Sequence, residues 1–307
     1  MSKIIAIDHG NSAVKTPNHA FPAGLADAHG IADETVEYMG RQYAISSRRI
    51  PYMRDKTATE DYRVLTLFAI GRELLGGRTG TVLLNEDIIL AVGLPPAHFK
   101  TGRAAFEDYF KSCSPIEFKY SGCLLTVRVE LVLCFPQAYA AAMTRASELM
   151  AHDRSFVVDI GGMTVDTLLM RREGKALVPD MSYTNSLDGG TNKLCNDIAT
   201  ALSSEMGVHA EQDQIEAVLQ GKPSLFDNAA KNLIRDMAAR YTARLLNDLR
   251  ERDIDLRTTP SVFIGGGSLL LRQHIEGSDM VKAPLFIENT NANAVGYQML
   301  AEKMMGR

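Results

Sequence analysis

The chain has 307 residues, of which 46% are hydrophobic, with a formal net charge of −4 and a pI near 6.0. This length can bury one or two full cores, and the acidic balance lacks the basic footprint of direct nucleic-acid binding. No apolar run approaches the roughly 20 residues that span a bilayer, and Met1 runs directly into a strand, so we expect no signal peptide. The four cysteines lack metal-site spacing. We therefore expect a cytoplasmic protein with reduced, buried thiols, and neither nucleic acid nor a membrane as a direct partner.

The first part of the chain is predicted to combine short strands with one helix. A strand and its turn extend to about Lys15, and short strands such as Glu37–Ala44 follow. Residues Asp61–Leu75 carry apolar side chains at spacings of three and four, which predicts a helix. Gly76-Gly77 is a typical helix stop. We interpret residues from about 16 to 80 as a small inserted subdomain.

Mixed strands and helices are predicted to continue up to a domain boundary. In chain order we expect a strand at Asp87–Gly93, a helix near Arg103–Lys111, strands at Ile116–Tyr120 and Leu124–Cys134, and a helix from Gln137 to Met150. The polar stretch His152-Asp153-Arg154 then marks the expected boundary between two domains.

The second half is predicted to be largely helical between two strand regions. Asp188-Gly189-Gly190 opens a helix that ends at Gly207, and the pattern stays helical to about Arg257. Five large residues fall on one stripe of this region, as in ordinary core packing: Leu233, Met237, Tyr241, Leu245 and Leu249. A strand at Ser261–Ile264 and a terminal helix from Asn293 complete the chain.

The most informative feature is a glycine-containing turn between two apolar runs, present twice at domain spacing. In the first copy Asp8 precedes Gly10-Asn11-Ser12, and in the second Asp159 precedes Gly161-Gly162-Met163-Thr164. Each pattern predicts a β-hairpin whose tip presents backbone N–H groups, with a carboxylate at its base. The repetition indicates a duplicated nucleotide-binding fold.

The two hairpins predict a site for a polyphosphate and its metal ion. If the tips face each other across a cleft, their N–H groups, the hydroxyls of Ser12 and Thr164 and the ammonium of Lys15 can bind phosphates. Mg²⁺ contacts one or two carboxylates together with phosphate oxygens, so Asp8 and Asp159 are the predicted metal ligands. The alternative is that each Asp is only a turn former at the end of a strand.

Two other features of the turns are less specific. Gly265-Gly266-Gly267-Ser268 follows a strand and precedes an apolar helix start. Its glycines let backbone approach a flat ligand such as adenine, or bring a helix N-terminus to a phosphate. It is not a dinucleotide fingerprint, because Leu270 occupies the third glycine position. His9 has no His or Cys spaced to complete a metal site, and we interpret it as a turn residue.

The order of these motifs resembles the superfamily of actin, heat-shock chaperone and sugar kinase ATPases. Three stretches resemble the plasmid-segregation ParM/StbA branch of the bacterial actins, namely Val92-Gly93-Leu94-Pro95-Pro96, Phe135-Pro136-Gln137-Ala138 and Asp159–Asp166. The similarity covers nearly the whole chain. It implies an α/β, two-lobed actin-like ATPase fold built from two RNase H-like domains, with nucleotide bound between them.

The resemblance also implies the extent of each lobe. Lobe I is expected at 1–152, with the inserted subdomain at about 16–80, and is completed by a C-terminal helix at about 291–307. Lobe II is expected at 153–290, with a helical insert at about 191–258. Asn291-Ala292-Asn293-Ala294 followed by Val295-Gly296 resembles the second hinge of the family.

Individual residues receive roles from the same resemblance. Gln137 falls where the family places the polar residue that orients the attacking water, together with Asp159, and Asp166 stands where eukaryotic actins have a His that helps to position it. Met163 departs from the small residue usual at its position, so only its backbone is assigned to phosphate. The implied nucleotide contacts are Asp8, Gly10, Asn11, Ser12 and Lys15 in the first motif, Gly161, Gly162, Met163 and Thr164 in the second, then Asp188, Gly189 and Gly190, and Gly265, Gly266, Gly267 and Ser268 in the adenosine motif.

The implied function is that of a filament-forming actin homologue. The resemblance implies slow hydrolysis of ATP, with GTP as the alternative nucleotide and Mg²⁺ as the metal. It implies self-association into filaments and segregation of a plasmid or mobile element, whose DNA is held by a separate adaptor protein. Two alternatives stay open, a non-polymerising chaperone-like or regulatory ATPase, and a sugar or acetate-type kinase.

Overall fold

The computed structural model of the protein describes residues 2–28, 34–51, 53, 55–76, 83–112 and 114–307. The strands within these ranges are β1 (Lys3–His9), β2 (Ala13–Lys15), β3 (Ala20–Pro22), β4 (Leu25–Asp27), β5 (Thr35–Tyr38), β6 (Arg41–Ile45), β7 (Leu83–Leu94), β8 (Ile116–Tyr120), β9 (Cys123–Pro136), β10 (Arg154–Ile160), β11 (Thr164–Glu173), β12 (Ala176–Asp188), β13 (Ser261–Ile264) and β14 (Leu285–Phe286). The helices are α1 (Asp61–Leu75), α2 (Pro96–Lys111), α3 (Tyr139–Met143), α4 (Ala146–Leu149), α5 (Thr191–Met206), α6 (Gln212–Leu219), α7 (Asn228–Arg250), α8 (Gly266–Leu270), α9 (Arg272–Glu276) and α10 (Ala292–Met304).

The chain divides into two compact units. The first is formed by Met1–Thr144 with Asn291–Arg307, and the second by Arg145–Thr290. Helix α4, which the sequence placed at the end of lobe I, therefore belongs to the second unit. Helix α10 returns to the first unit.

The first unit is built around a nine-stranded sheet in the order β3-β2-β1-β7-β9-β8-β5-β6-β4. Strand β1 pairs in parallel with β7 and antiparallel with β2. Its apolar run is continuous because a parallel strand inside a sheet is covered on both faces. Ile5 and Ile7 pack in the core that contains α1, whereas Ala6 packs in a second cluster with residues of α10.

The segment predicted as an inserted subdomain shares the sheet and the core of this unit. Strand β5 pairs with β8 and with β6, so these strands extend the same sheet. Buried Val36 lies in the same cluster as Ile5 and the apolar residues of α1. Helix α1 spans Asp61–Leu75 as predicted and ends at Gly76, which has a φ of 54°. Gly77 lies outside the described residues.

The prediction of one helix from Gln137 to Met150 is wrong. The structure has two short helices instead, α3 and α4. Ala138 has φ 60° and ψ −51°, so α3 begins only at Tyr139. An L-residue in this conformation is not helical, and the local sequence gives no sign of it.

The second unit repeats the central strand order of the first. Its sheet has the order β12-β11-β10-β13-β14, with antiparallel pairs from β12 to β10 and parallel pairs from β10 to β14. Strands β3-β2-β1-β7-β9 follow the same succession of orientations. The structure thus confirms the duplication that the two hairpins predicted.

The helices of the second unit also follow the sequence pattern. Helix α5 ends at Gly207, which has a φ of 68°. On α7, Leu245 and Leu249 are buried, and Leu233, Met237 and Tyr241 pack against the same core. This confirms the interpretation of that stripe as core packing.

Three of the four cysteines lie among the residues that the structure describes. Cys123, Cys134 and Cys195 are free, buried thiols, and Cys113 lies outside the described residues. Burial raises the pKa of Cys134 and of Cys195 to about 12. No helix in the described ranges has the length and apolar character of a membrane span.

Candidate functional site

The first predicted turn closes the hairpin between β1 and β2. Asp8 pairs with Lys15, so both side chains lie on one face of the hairpin. The backbone N–H groups of Asn11 and Ser12 make no hydrogen bond among the described residues. A Cβ on Gly10 would lie 2.6 Å from the carbonyl oxygen of Ala13, so the turn requires glycine there. The N–H of Gly10 likewise makes no hydrogen bond among the described residues, so this geometry leaves the amides of the tip for an anion.

Two amide side chains hold the carboxylate of Asp8, which is 6% exposed. Gln137 Nε2 donates to Asp8 Oδ1 at 2.7 Å, and Asn293 Nδ2 makes a longer contact of 3.5 Å with Oδ2. The structure therefore brings the predicted Gln137 to the predicted Asp8. From the sequence, Asn293 was assigned only to a hinge motif, and no local signal indicated its position beside Asp8.

His9 is a core residue and not a turn residue, which corrects the prediction. Its ring is fully buried and stacks on Phe110, with ring centroids 5.1 Å apart. Its Nε2 lies 2.8 Å from the Thr66 hydroxyl, and that hydroxyl donates to the carbonyl oxygen of Tyr62 at 2.7 Å. A hydroxyl has one proton to donate, so Nε2 is the protonated nitrogen of a neutral imidazole.

The surroundings of His9 also fix its charge. Burial, followed by the nearby Lys56 ammonium, lowers the pKa of His9 to about 3. Lys56 is itself buried and donates a hydrogen bond to the carbonyl oxygen of His9, directly before Gly10. The base of the first turn is thus held by the neutral side chain of His9 and the cationic side chain of Lys56.

Acid is expected to destabilise the protein through His9. The folded state excludes the imidazolium. The free energy of unfolding that neutral His9 contributes is therefore fully present above about pH 6.5 and is lost as the pH falls towards 3. In His9→Phe, which keeps an aromatic ring, the loss of unfolding free energy between pH 7 and pH 4.5 should be smaller than in wild type by about 2 to 3 kcal/mol. Urea unfolding followed by circular dichroism measures it. His152→Phe at an exposed histidine is the control, and an equal acid loss in wild type and His9→Phe contradicts the assignment.

The second predicted turn closes the hairpin between β10 and β11 in the same register as the first. Asp159 pairs with Asp166, as Asp8 pairs with Lys15. The N–H of Gly161 donates to the carbonyl oxygen of Thr164 at 2.9 Å, and this donor is therefore used within the turn. The N–H groups of Gly162 and Met163 make no hydrogen bond in the described part of the chain. They are the donors that this tip presents.

The backbone of Asp188-Gly189-Gly190 hydrogen-bonds to the second turn. The predicted role of these glycines was contact with the nucleotide. The N–H groups of Gly189 and Gly190 donate to the carbonyl oxygen of Met163, at 3.2 and 2.9 Å. A Cβ on Gly190 would lie 2.4 Å from the carbonyl oxygen of Gly161. Their amides are occupied by the turn, so the structure supports a holding role and not direct phosphate contact.

The triple-glycine turn contains three unlike positions. A Cβ on Gly265, which has a φ of 85°, would lie 2.5 Å from Asp159 Oδ1, and one on Gly267 would lie 2.6 Å from Ile160 Cγ2. A Cβ on Gly266 meets no described atom within 4 Å. Ser268 is fully buried and donates to the carbonyl oxygen of Gly265 at 2.8 Å. Only Gly266 offers an open backbone surface to a ligand.

The donor set fits Mg²⁺ bound together with phosphate. Within the residues described, no three or more His, Cys, Asp or Glu side chains are grouped so that they could hold a metal ion by themselves. Asp159 and Asp166 lie directly opposite each other on one face of the hairpin, so two carboxylates are close together there. The side-chain oxygen of Asn11 is buried without a hydrogen-bond partner in the described ranges. Few carboxylates, with further oxygens from ligand and water, are typical of Mg²⁺.

Two protein-family models match this chain, and each matched range contains one of the two turns. The N-terminal domain model of actin-like proteins matches residues 6–139, and the C-terminal model described as archaeal actin homologue MreB-like matches residues 157–277. No curated protein matches the sequence.

Solved structures of actin homologues share the fold over nearly the whole length. The archaeal actin homologue Ta0583 in complex with ADP is 18% identical, with a TM-score of 0.71 and coverage of 98% of this chain and 99% of that chain. A non-polymerisable quadruple mutant of pCBH ParM is 20% identical, with a TM-score of 0.74 and coverage of 99% and 100%. Alp12 in its filament structure is 14% identical, with a TM-score of 0.68 and coverage of 99% of each chain. With both of its halves matched by actin-like domain families, the chain belongs to the actin-like proteins and has their two-lobed ATPase fold.

Proposed function

We propose that the protein is a cytoplasmic, ATP-dependent actin homologue that assembles into filaments and segregates a plasmid or mobile element through a DNA-binding adaptor. The observation that carries this proposal is the repeated hairpin, in which Asp8 and Asp159 occupy the same register and each tip presents N–H groups that make no backbone hydrogen bond in the described part of the chain. A duplicated phosphate turn matches a ligand with several phosphates. The ADP bound to Ta0583 supports nucleotide as that ligand.

In the proposed hydrolysis, a few side chains orient the attacking water and neutralise the phosphate charge. Gln137 and Asp159 orient the attacking water. The amide nitrogen of Gln137 is held on Asp8, so its amide oxygen is the end that accepts a hydrogen bond from water. Asp166 assists and is itself held by the hydroxyl of Thr164 at 3.0 Å. Lys15 and the tip amides neutralise phosphate charge, and Mg²⁺, held by Asp8 and Asp159, supplies further neutralisation when bound.

Slow hydrolysis is expected from the isolated protein. Catalysis by positioning requires reacting groups in a near-attack geometry, and conformational steps limit many such enzymes. We propose that this geometry is completed only in the polymer. ATP is the proposed nucleotide, and a parallel titration with GTP decides between the two.

Two exposed apolar side chains lie in the segments that we propose as filament contacts. Leu225 is 107% exposed and Met39 is 78% exposed. Met39 lies in the segment 16–80 and Leu225 in the segment 191–257. We propose these two segments as contact surfaces because the segments lie outside the phosphate turns. A single exposed apolar side chain is ordinary on a protein surface and becomes an anchor only where an interface buries it, so substitution of each one tests the proposed contacts.

Nucleotide is expected to control assembly. ATP or a non-hydrolysable analogue with Mg²⁺ should give a sharp rise in light scattering above a critical concentration, and ADP should give none at the same protein concentration. The γ-phosphate achieves this by favouring the polymer-competent state. Electron microscopy then identifies filaments. If neither triphosphate form gives polymer while phosphate release is measurable, the filament part fails, and a non-polymerising ATPase is the result.

Two substitutions locate the contact surfaces in the same assay. Leu225→Asp and Met39→Asp should each raise the critical concentration at least about tenfold, the effect of losing one interface anchor. Met304→Asp is the matched control, because Met304 is 63% exposed at the end of α10, outside both segments. Equal effects of all three substitutions contradict the proposed surfaces.

A further inference from the structure

The residue after Gln137 has a strained backbone. Ala138 has φ 60° and ψ −51°, and the N–H of Tyr139 donates to the carbonyl oxygen of Gln137 at 2.5 Å. These values define a three-residue γ-turn with positive φ, a rare conformation that costs energy for an L-residue. Such a turn persists only where its surroundings enforce it.

Asn293 is the side chain that connects this turn to Asp8. Its Oδ1 accepts a hydrogen bond from the N–H of Ala138 at 3.0 Å, while its Nδ2 lies 3.5 Å from Asp8 Oδ2. The carbonyl oxygen of Leu94 also accepts from the N–H of Gln137 at 2.8 Å. One amide group therefore contacts both the strained residue and the carboxylate that holds Gln137.

Close packing of α10 fixes the position of Asn293. A Cβ on Gly296 would lie 2.0 Å from the carbonyl oxygen of Ala140, so the backbones of α10 and α3 are in direct contact. Tyr297 is fully buried and stacks on Phe135, with ring centroids 6.1 Å apart. Helix α10 cannot move away from α3 without losing these contacts, so Asn293 is presented from a rigid support.

We infer that Asn293 is a positioning residue for Gln137. It enforces the γ-turn at Ala138 and so keeps the side chain of Gln137 on Asp8. Without Asn293 the turn relaxes to an ordinary backbone conformation, and the amide of Gln137 leaves the position from which it orients water. The catalytic consequence rests on the proposed function, whereas the conformational consequence does not.

Enzyme kinetics test the catalytic consequence. Asn293→Ala should lower kcat for ATP hydrolysis about tenfold and leave nucleotide affinity within about twofold, because the tip amides are untouched. Ala138→Gly alone should leave kcat unchanged. Combined with Asn293→Ala it should restore kcat to within about threefold of wild type, because glycine adopts positive φ without strain. Gln298→Ala is the control, since this amide on α10 donates to Glu302 in the same helix and, among the described residues, makes no contact with Asp8 or Ala138. A double variant as slow as Asn293→Ala, or an Asn293→Ala enzyme at wild-type kcat, overturns the inference.

Amide hydrogen exchange tests the conformational consequence without nucleotide. The N–H of Tyr139, which donates to the carbonyl oxygen of Gln137 across the γ-turn, should exchange at least tenfold faster in Asn293→Ala than in wild type, while the N–H of Ala142, which donates to the carbonyl oxygen of Ala138, serves as the local reference. Faster exchange in a protein that hydrolyses no nucleotide sinks the proposed function and upholds the link between Asn293 and the turn. Unchanged exchange in an active enzyme overturns the inference and leaves the proposed function intact.

Discussion

Replacement of Asp159 by alanine is expected to slow ATP hydrolysis by about 10³-fold, within the range for losing a group that handles the reacting water. Asp159 is the penultimate residue of β10, directly opposite Asp166, and its Oδ1 lies against the backbone of Gly265. The substitution removes one carboxylate and leaves the tip amides and the triple-glycine turn in place, so nucleotide should still bind. Phosphate release at saturating ATP measures the rate, and titration with a fluorescent nucleotide measures the affinity.

Asp153→Ala is the matched control for this substitution. Asp153 is an exposed acid just before β10, and it pairs with Arg172 on the exposed surface. Hydrolysis should stay near wild type in this variant. If Asp159→Ala also releases phosphate at the wild-type rate, Asp159 does not orient the water, and Asp166 becomes the next residue to test.

Most of the fold could be predicted from the sequence because its signals are local. The two hairpins combine an apolar strand, an acid and a glycine turn within a dozen residues. Helices α1 and α5 carry apolar periodicity and end at glycines, so their bounds agree with the prediction. The helix after Gln137 could not be predicted, since it is interrupted by a conformation in which the N–H of Ala138 donates to the side-chain oxygen of the distant Asn293.

The candidate site was less predictable because its contacts join distant parts of the chain. Asp8 and Gln137 are 129 positions apart, and Asn293 is 285 positions from Asp8. No periodicity or turn signal encodes such pairs. His9 looked like a turn residue because it stands between Asp8 and Gly10 in the sequence, whereas its aromatic neighbours in space come from α1 and α2. The glycines before α5 could be found, but not that their amides hold Met163.

The triple-glycine turn offers the sharpest separation of binding from folding. Gly266→Val should lower nucleotide affinity by about 100-fold and change the free energy of unfolding by no more than about 1 kcal/mol, because a side chain there meets no described atom and points to open space. Gly267→Val should lower the free energy of unfolding by about 3 kcal/mol, since its Cβ would lie 2.6 Å from Ile160 Cγ2 and 2.7 Å from Thr191 Cγ2.

Both variants are measured in the same two assays. The chain contains no tryptophan, so urea unfolding is followed by circular dichroism and affinity by a fluorescent nucleotide. The two neighbouring glycines receive the same new side chain. Only the substitution at Gly266 should lower the nucleotide affinity without lowering the free energy of unfolding. Wild-type affinity in Gly266→Val would mean that the turn is a structural corner, and that adenosine binds elsewhere. Wild-type stability in Gly267→Val would mean that Ile160 and Thr191 give way, and that the packing behind this turn is softer than its distances indicate.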